Sequence, residues 1–168
     1  MRKPRFRARY FVCKSHESRQ KGSGLGMGNV SGSHTRAVVQ EFLTRFAEGV
    51  PDRIAALFAE QVDWLIAGGA VVPWLRPRST RADVAGHFRE LAEGMVPLDG
   101  GPTVEAVVVD GGEAMLTGHV SGVVRTTGKT FRSPFAMRLT VEDGLITRFC
   151  LYEDSLTIAD ACTPQPQP

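Results

Sequence analysis

Tyr152 and Asp154 are separated by one residue, so on a strand they point to the same face. The Tyr152 hydroxyl can donate to a developing enolate or alkoxide oxygen; the alternative is an amphipathic core residue of the last strand. Asp154 stands just before Leu156–Ala161, a short amphipathic stretch whose first turn needs a side-chain acceptor, so it can cap a helix. His119 lies in a long strand-like run with Ser121 on its face. Its imidazole can serve as base or donor near neutral pH, or it can lie on an outer face or in a dimer contact. Arg138 and Arg125 can hold an oxyanion or a carboxylate, or can face solvent or a partner. Trp64, Trp74 and Phe135 supply apolar wall for a substrate, and core packing is the alternative for each. His87 falls between Val84 and Phe88 on a helical stretch and reads as an ordinary helix residue; His34 and His16 precede the regular structure.

Several chemistries are unsupported. There is no phosphate loop, metal triad or nucleophile elbow. The three cysteines, Cys13, Cys150 and Cys162, are too scattered for a disulfide scaffold or a zinc site, and a reducing, cytoplasmic compartment is the expectation. No apolar run approaches the roughly 20 residues of a membrane helix.

The net charge of +2 hides an asymmetry. Residues 1–26 carry eight Lys/Arg and one acid, a charge of +7, and the remaining residues sum to −5. The body is therefore mildly acidic, which argues against a nucleic-acid surface there. The basic segment suits a disordered extension, a nucleic-acid arm or an anionic membrane contact. It lacks the apolar region of a secretory signal, and its composition leaves a mitochondrial-type transit segment open. Gly22-Ser23-Gly24-Leu25-Gly26 reads as flexible linker, and a domain can begin at Met27 just after it.

The elements that must position these residues follow from periodicity. Val38, Val39, Phe42, Leu43 and Phe46 mark a helix from Thr35, and Gly49 marks its stop. Pro51 opens a short second helix carrying Ile54, Leu57 and Phe58. Val62–Ile66 reads as a strand, and Pro73 and Pro77 keep the following stretch irregular. Thr80 with Asp83 resembles a capping box for a third helix ending near Gly94. After Pro102 come four strands joined by Gly111-Gly112, Thr127-Gly128 and Asp143-Gly144 turns. Gly118 and Gly122 suggest bends in a curved sheet. From Thr130 to Val141, Phe131, Phe135, Met137, Leu139 and Val141 alternate with Arg132, Arg138 and Thr140. Helices followed by a strand meander predict an α+β fold, a curved antiparallel sheet packed on three N-terminal helices, with an apolar pocket at the mouth of the cone.

The segments VVQEFLTRFAEG, TGKTFRSPFAMRLTVEDGLITRF and LYEDSLTIADA, and the spacing of Asp143, Gly144, Ile146, Tyr152 and Asp154, resemble the SnoaL-like, ketosteroid isomerase-related branch of the nuclear-transport-factor-2-like superfamily. The resemblance implies a cone-shaped α+β domain over residues 33–162, preceded by a basic disordered extension (1–32) and followed by a proline-rich tail (163–168). It implies a dimer through the outer sheet face. It also implies a cofactor-free isomerase or cyclase acting by proton transfer on a hydrophobic, polyketide- or steroid-like molecule, with Asp154 as acid/base and Tyr152 and His119 steadying the oxyanion. Substrate contacts would come from Trp64, Trp74, Phe135 and Arg138, with no metal, nucleic acid or membrane involved. The alternative is a non-catalytic binding or assembly domain of the same fold. Departures favour that alternative: the places of the steroid-isomerase acids hold Trp64 and Ala136, and those of the epoxide-hydrolase set hold His119, Ser121 and Leu151.

Overall fold

The apolar stripe of the first helix decides where it lies: Val39 and Phe42 are almost fully buried against the sheet. The computed structural model describes residues 28–165; the basic segment 1–27, with Cys13 and His16, and residues 166–168 lie outside the described residues. Helix α1 (Gly28–Glu48) starts seven residues before Thr35 and runs through the weak helix formers Ser31, Gly32 and Ser33. Docking outweighs propensity here. The Thr35 hydroxyl donates to the Gly111 carbonyl at 2.9 Å, and Gly32 sits against Val109. Gly49, with φ of 68°, closes the helix in the left-handed conformation glycine accepts readily.

The second helix, α2 (Pro51–Ala55), is a single turn. Leu57 and Phe58 do not belong to it, contrary to the periodicity. Phe58 opens strand β1 (Phe58–Ile66), because the Leu57 carbonyl accepts from the Ile146 amide and Phe58 is drawn into a ring cluster with Phe42 and Phe149. Helix α3 (Arg81–Gly94) has the expected capping box: Thr80 Oγ1 accepts from the Asp83 amide at 3.2 Å, and Asp83 Oδ2 accepts from the Thr80 amide at 3.0 Å. Hydrogen bonds from Thr80 and Ser79 hold the Asp83 carboxyl below its ordinary range. Thr80→Ala is expected to cost about 1 kcal/mol, read from urea denaturation midpoints.

Strands β2 (Met95–Pro97), β3 (Thr103–Asp110), β4 (Glu113–Val124), β5 (Thr130–Glu142) and β6 (Leu145–Glu153) complete the sheet, followed by helix α4 (Ser155–Cys162). The order is β1-β6-β5-β4-β2, with β3 also on β4. The sheet is mixed rather than wholly antiparallel, since β1 runs parallel to β6. No hairpin joins those two strands, so nothing forces them antiparallel. Strands β3 and β2 divide one edge of β4. β3 pairs with Glu113–His119 and β2 with Gly122–Val124. The changeover falls between His119 and Gly122, just past Gly118, where a Cβ would overlap the Thr103 carbonyl and β3 carries a bulge. The sheet curls there.

The curl gives an inner and an outer face. Inner residues form a base cluster around Phe42, Phe58, Phe88, Phe149, Leu116 and Leu139. A second cluster nearer the mouth holds Val72, Trp74, Met95, Val124, Phe131 and Ile158. Leu91 and Val120 are partly buried and touch both. Cys150 and Cys162 are free and buried. No helix of the described residues is long and apolar enough to cross a membrane.

Candidate functional site

Strand register sets the inner wall. Trp64 pairs with Phe149, and Ile66 with Leu151; Leu151 and Glu153 pair with Met137 and Phe135. Trp64 lies flat on Phe149, with ring centroids 4.3 Å apart and planes 11° apart. Met137 and Leu151 occupy central strands yet remain partly exposed. Both share the inner face and pack against the base cluster.

Glu153 is the acidic group on this wall. Its neighbours on the same face are Phe149 and Leu151 along β6 and Phe135 across on β5. Its carboxyl makes no hydrogen bond or ion pair among the described residues. Burial alone pushes its carboxyl up to about 7, since an apolar surrounding disfavours the anion. The end of β6 is pinned by the Asp154 amide, which donates to the buried Ser133 hydroxyl at 2.8 Å.

His87 faces the same interior from α3. It is 3% exposed, and its ring stands edge-on to Trp64 at 5.0 Å and to Phe88 at 5.1 Å. Nδ1 lies 3.2 Å from the Trp74 carbonyl. Burial, with a smaller contribution from Arg78, brings its pKa down to about 4 against the opposing pull of the Trp74 carbonyl and Glu90. The imidazole is therefore neutral at pH 7. Trp74 belongs to the irregular segment 67–79 that closes over this end, and its ring packs on Gly94, where a Cβ would come within 2.6 Å.

The residues singled out from the sequence divide by strand parity. Trp64 and Phe135 lie on the inner wall, and Trp74 lies in the mouth cluster. Tyr152, His119 and Arg138 lie on the outer face, which corrects their assignment to the cavity. Tyr152 pairs with Ala136 and is 46% exposed. His119 Nδ1 contacts Glu105 at 2.7 Å across β3 and β4. Arg138 donates to Glu113 at 2.8 Å, which raises its own pKa and lowers that of Glu113. Asp154 fills the capping role given above, and its acid/base assignment is corrected. It caps α4, Oδ1 accepting from the Thr157 amide at 3.1 Å and Oδ2 from the Thr157 hydroxyl at 2.7 Å. These bonds lower its pKa, the opposite of what a proton shuttle needs. Asp154→Asn is expected to keep the Thr157 amide protected from hydrogen exchange, and Asp154→Ala to expose it.

Sequence reasoning missed Glu153 and passed over His87. The signals were there: Glu153 continues the Phe149, Leu151 alternation, and His87 lies on the Val84, Phe88, Leu91 stripe.

The model of the SnoaL-like domain family matches residues 39–149. The chain belongs to the SnoaL-like family. Among solved structures, this SnoaL-like chain resembles an NTF2-like protein from Burkholderia xenovorans at 23% identity and a TM-score of 0.71, covering 79% of this chain and 98% of that one. It also resembles a Xanthomonas campestris protein described provisionally as a polyketide cyclase, at 22% identity and a TM-score of 0.61 over 79% and 99% of the two chains. A Catenulispora acidiphila protein with a ketosteroid isomerase-like fold, solved with trimethylamine, matches at 13% identity and a TM-score of 0.62 over 78% and 97%. These likenesses establish the fold. No curated protein shows significant similarity to this chain.

Proposed function

We propose that this SnoaL-like protein takes a hydrophobic small molecule into its cone and moves a proton on it, with Glu153 as the acid/base group. The observation that carries the reading is the unpaired Glu153 carboxyl on an apolar wall, poised at about 7. A group with a pKa near the working pH can both take and return a proton. The Trp64 indole N–H, without a partner among the described residues, supplies a donor on the same wall for a developing oxyanion. Proton transfer of this kind needs acid and base side chains and no cofactor. The provisional cyclase description of the Xanthomonas relative fits such chemistry.

The test is exchange of α-protons into D2O, followed by NMR, on apolar ketones such as 2-tetralone. Exchange faster than buffer supports an enzyme of the isomerase or cyclase type. Binding of the ketones with exchange no faster than buffer would instead make the protein a non-catalytic binding domain.

The outer face supports a homodimer. Leu65, Val108, Met115 and Tyr152 are exposed there, beside the Arg138–Glu113 and Arg148–Asp63 ion pairs. Pairing two copies across a two-fold axis covers such a face. Light scattering at micromolar concentration is expected to give twice the chain mass, and Met115→Glu to shift the population to monomer.

A further inference from the structure

The buried imidazole on α3 has one nitrogen with a task and one without. A carbonyl oxygen can only accept, so the 3.2 Å contact to Trp74 requires the proton on His87 Nδ1. Nε2 then carries a lone pair. No group among the described residues donates to it. The residue as a whole is 3% exposed, and its ring stands edge-on to Trp64. A buried acceptor calls for a donor.

We propose that His87 Nε2 recognises a hydroxyl group on the bound molecule, which is therefore a neutral, apolar compound carrying a phenolic or alcoholic OH. The inference rests on the reading that an apolar molecule enters the cone. Three features fix the chemistry. The tautomer is locked by a backbone carbonyl, so Nε2 accepts and does not donate. The surroundings of Trp64 and Phe88 favour an apolar body and penalise a charged one. The ring itself stays uncharged, because burial opposes protonation. His87 acts here as a specificity-determining residue, separate from the proton transfer assigned to Glu153.

Naphthalene and 2-naphthol differ by one hydroxyl and serve as probes. Binding is followed by quenching of tryptophan fluorescence, and the His87 ring nitrogens by 15N NMR of the parent protein. The expected result is that 2-naphthol moves the Nε2 resonance upfield and naphthalene leaves it in place. The preference for 2-naphthol over naphthalene should be roughly 2- to 10-fold larger in the parent than in His87→Leu. Binding of 2-naphthol without movement of Nε2, or an unchanged preference in His87→Leu, would overturn the role of His87 and leave the apolar site standing. If neither probe binds, the apolar-site reading fails and this inference with it. The NMR arm uses the unaltered chain, so it decides even where His87→Leu does not fold.

Discussion

Glu153→Gln is expected to cut α-proton exchange by about 10²- to 10⁴-fold and to make the folded protein more stable at pH 7. The two effects have one cause. Gln keeps the size of Glu but cannot give or take a proton at neutral pH, so acid/base catalysis goes. It also removes the burden of holding a carboxyl where its anion is disfavoured. The sign follows from linkage. The folded-state pKa, about 7, is raised above the ordinary 4.5. The favourable contribution is therefore complete below pH 4.5 and is lost as pH rises through 7. The loss corresponds to about 3 kcal/mol at most, less the relief that partial solvent contact provides. The variant should therefore be stabler than the parent at pH 7 by about 1–3 kcal/mol, as activity-bearing groups often cost stability. Urea denaturation at pH 7 beside the exchange assay tests both. Full activity in the variant would remove Glu153 from the chemistry.

Much of the frame was legible because it depends on local pattern. The Thr80–Asp83 capping box, the Gly111-Gly112 and Asp143-Gly144 turns and the alternation of β5 all stand where the residues put them. What was illegible depends on register between distant segments. The spacing of Tyr152 and Asp154 puts them on one face of a strand, but a single strand does not say which phase faces inward. That is settled by Phe149, which meets Trp64 from β1, more than eighty residues earlier in the chain. One step of parity therefore separates the acid expected from the acid on the wall. Strand β2 was hidden for another reason. Three residues ending in proline carry no period, and β2 forms where β3 ends beyond His119 and frees the edge of β4.

His87 and Glu153 should mask each other in the pH dependence of stability, and single substitutions should reveal it. His87 is the mirror case of the carboxyl. Its folded pKa, about 4, lies below the ordinary 6.5. Its contribution is present above pH 6.5 and is lost as pH falls through 4, because the unfolded chain binds the proton first. Between pH 4.5 and 6.5 the unfolded state gains a proton on His87 as pH falls, while the folded state gains none there. Over the same window Glu153 loses its proton in the unfolded chain as pH rises, while the folded state still holds it. The two slopes are opposite in sign and near equal, each about 1.4 kcal/mol per pH unit at most, so the parent should be nearly flat across the window. Glu153→Gln should leave the His87 slope alone and lose about 2 kcal/mol or more from pH 6.5 down to 4.5. His87→Leu should show the reverse, weakening as pH rises from 4.5 to 7. The Trp74 carbonyl left without its donor lowers the whole His87→Leu curve but does not tilt it, because that bond does not titrate. Urea midpoints for the three proteins across this range decide the matter, and parallel curves would mean that neither group is buried as the strand register and the α3 stripe place it.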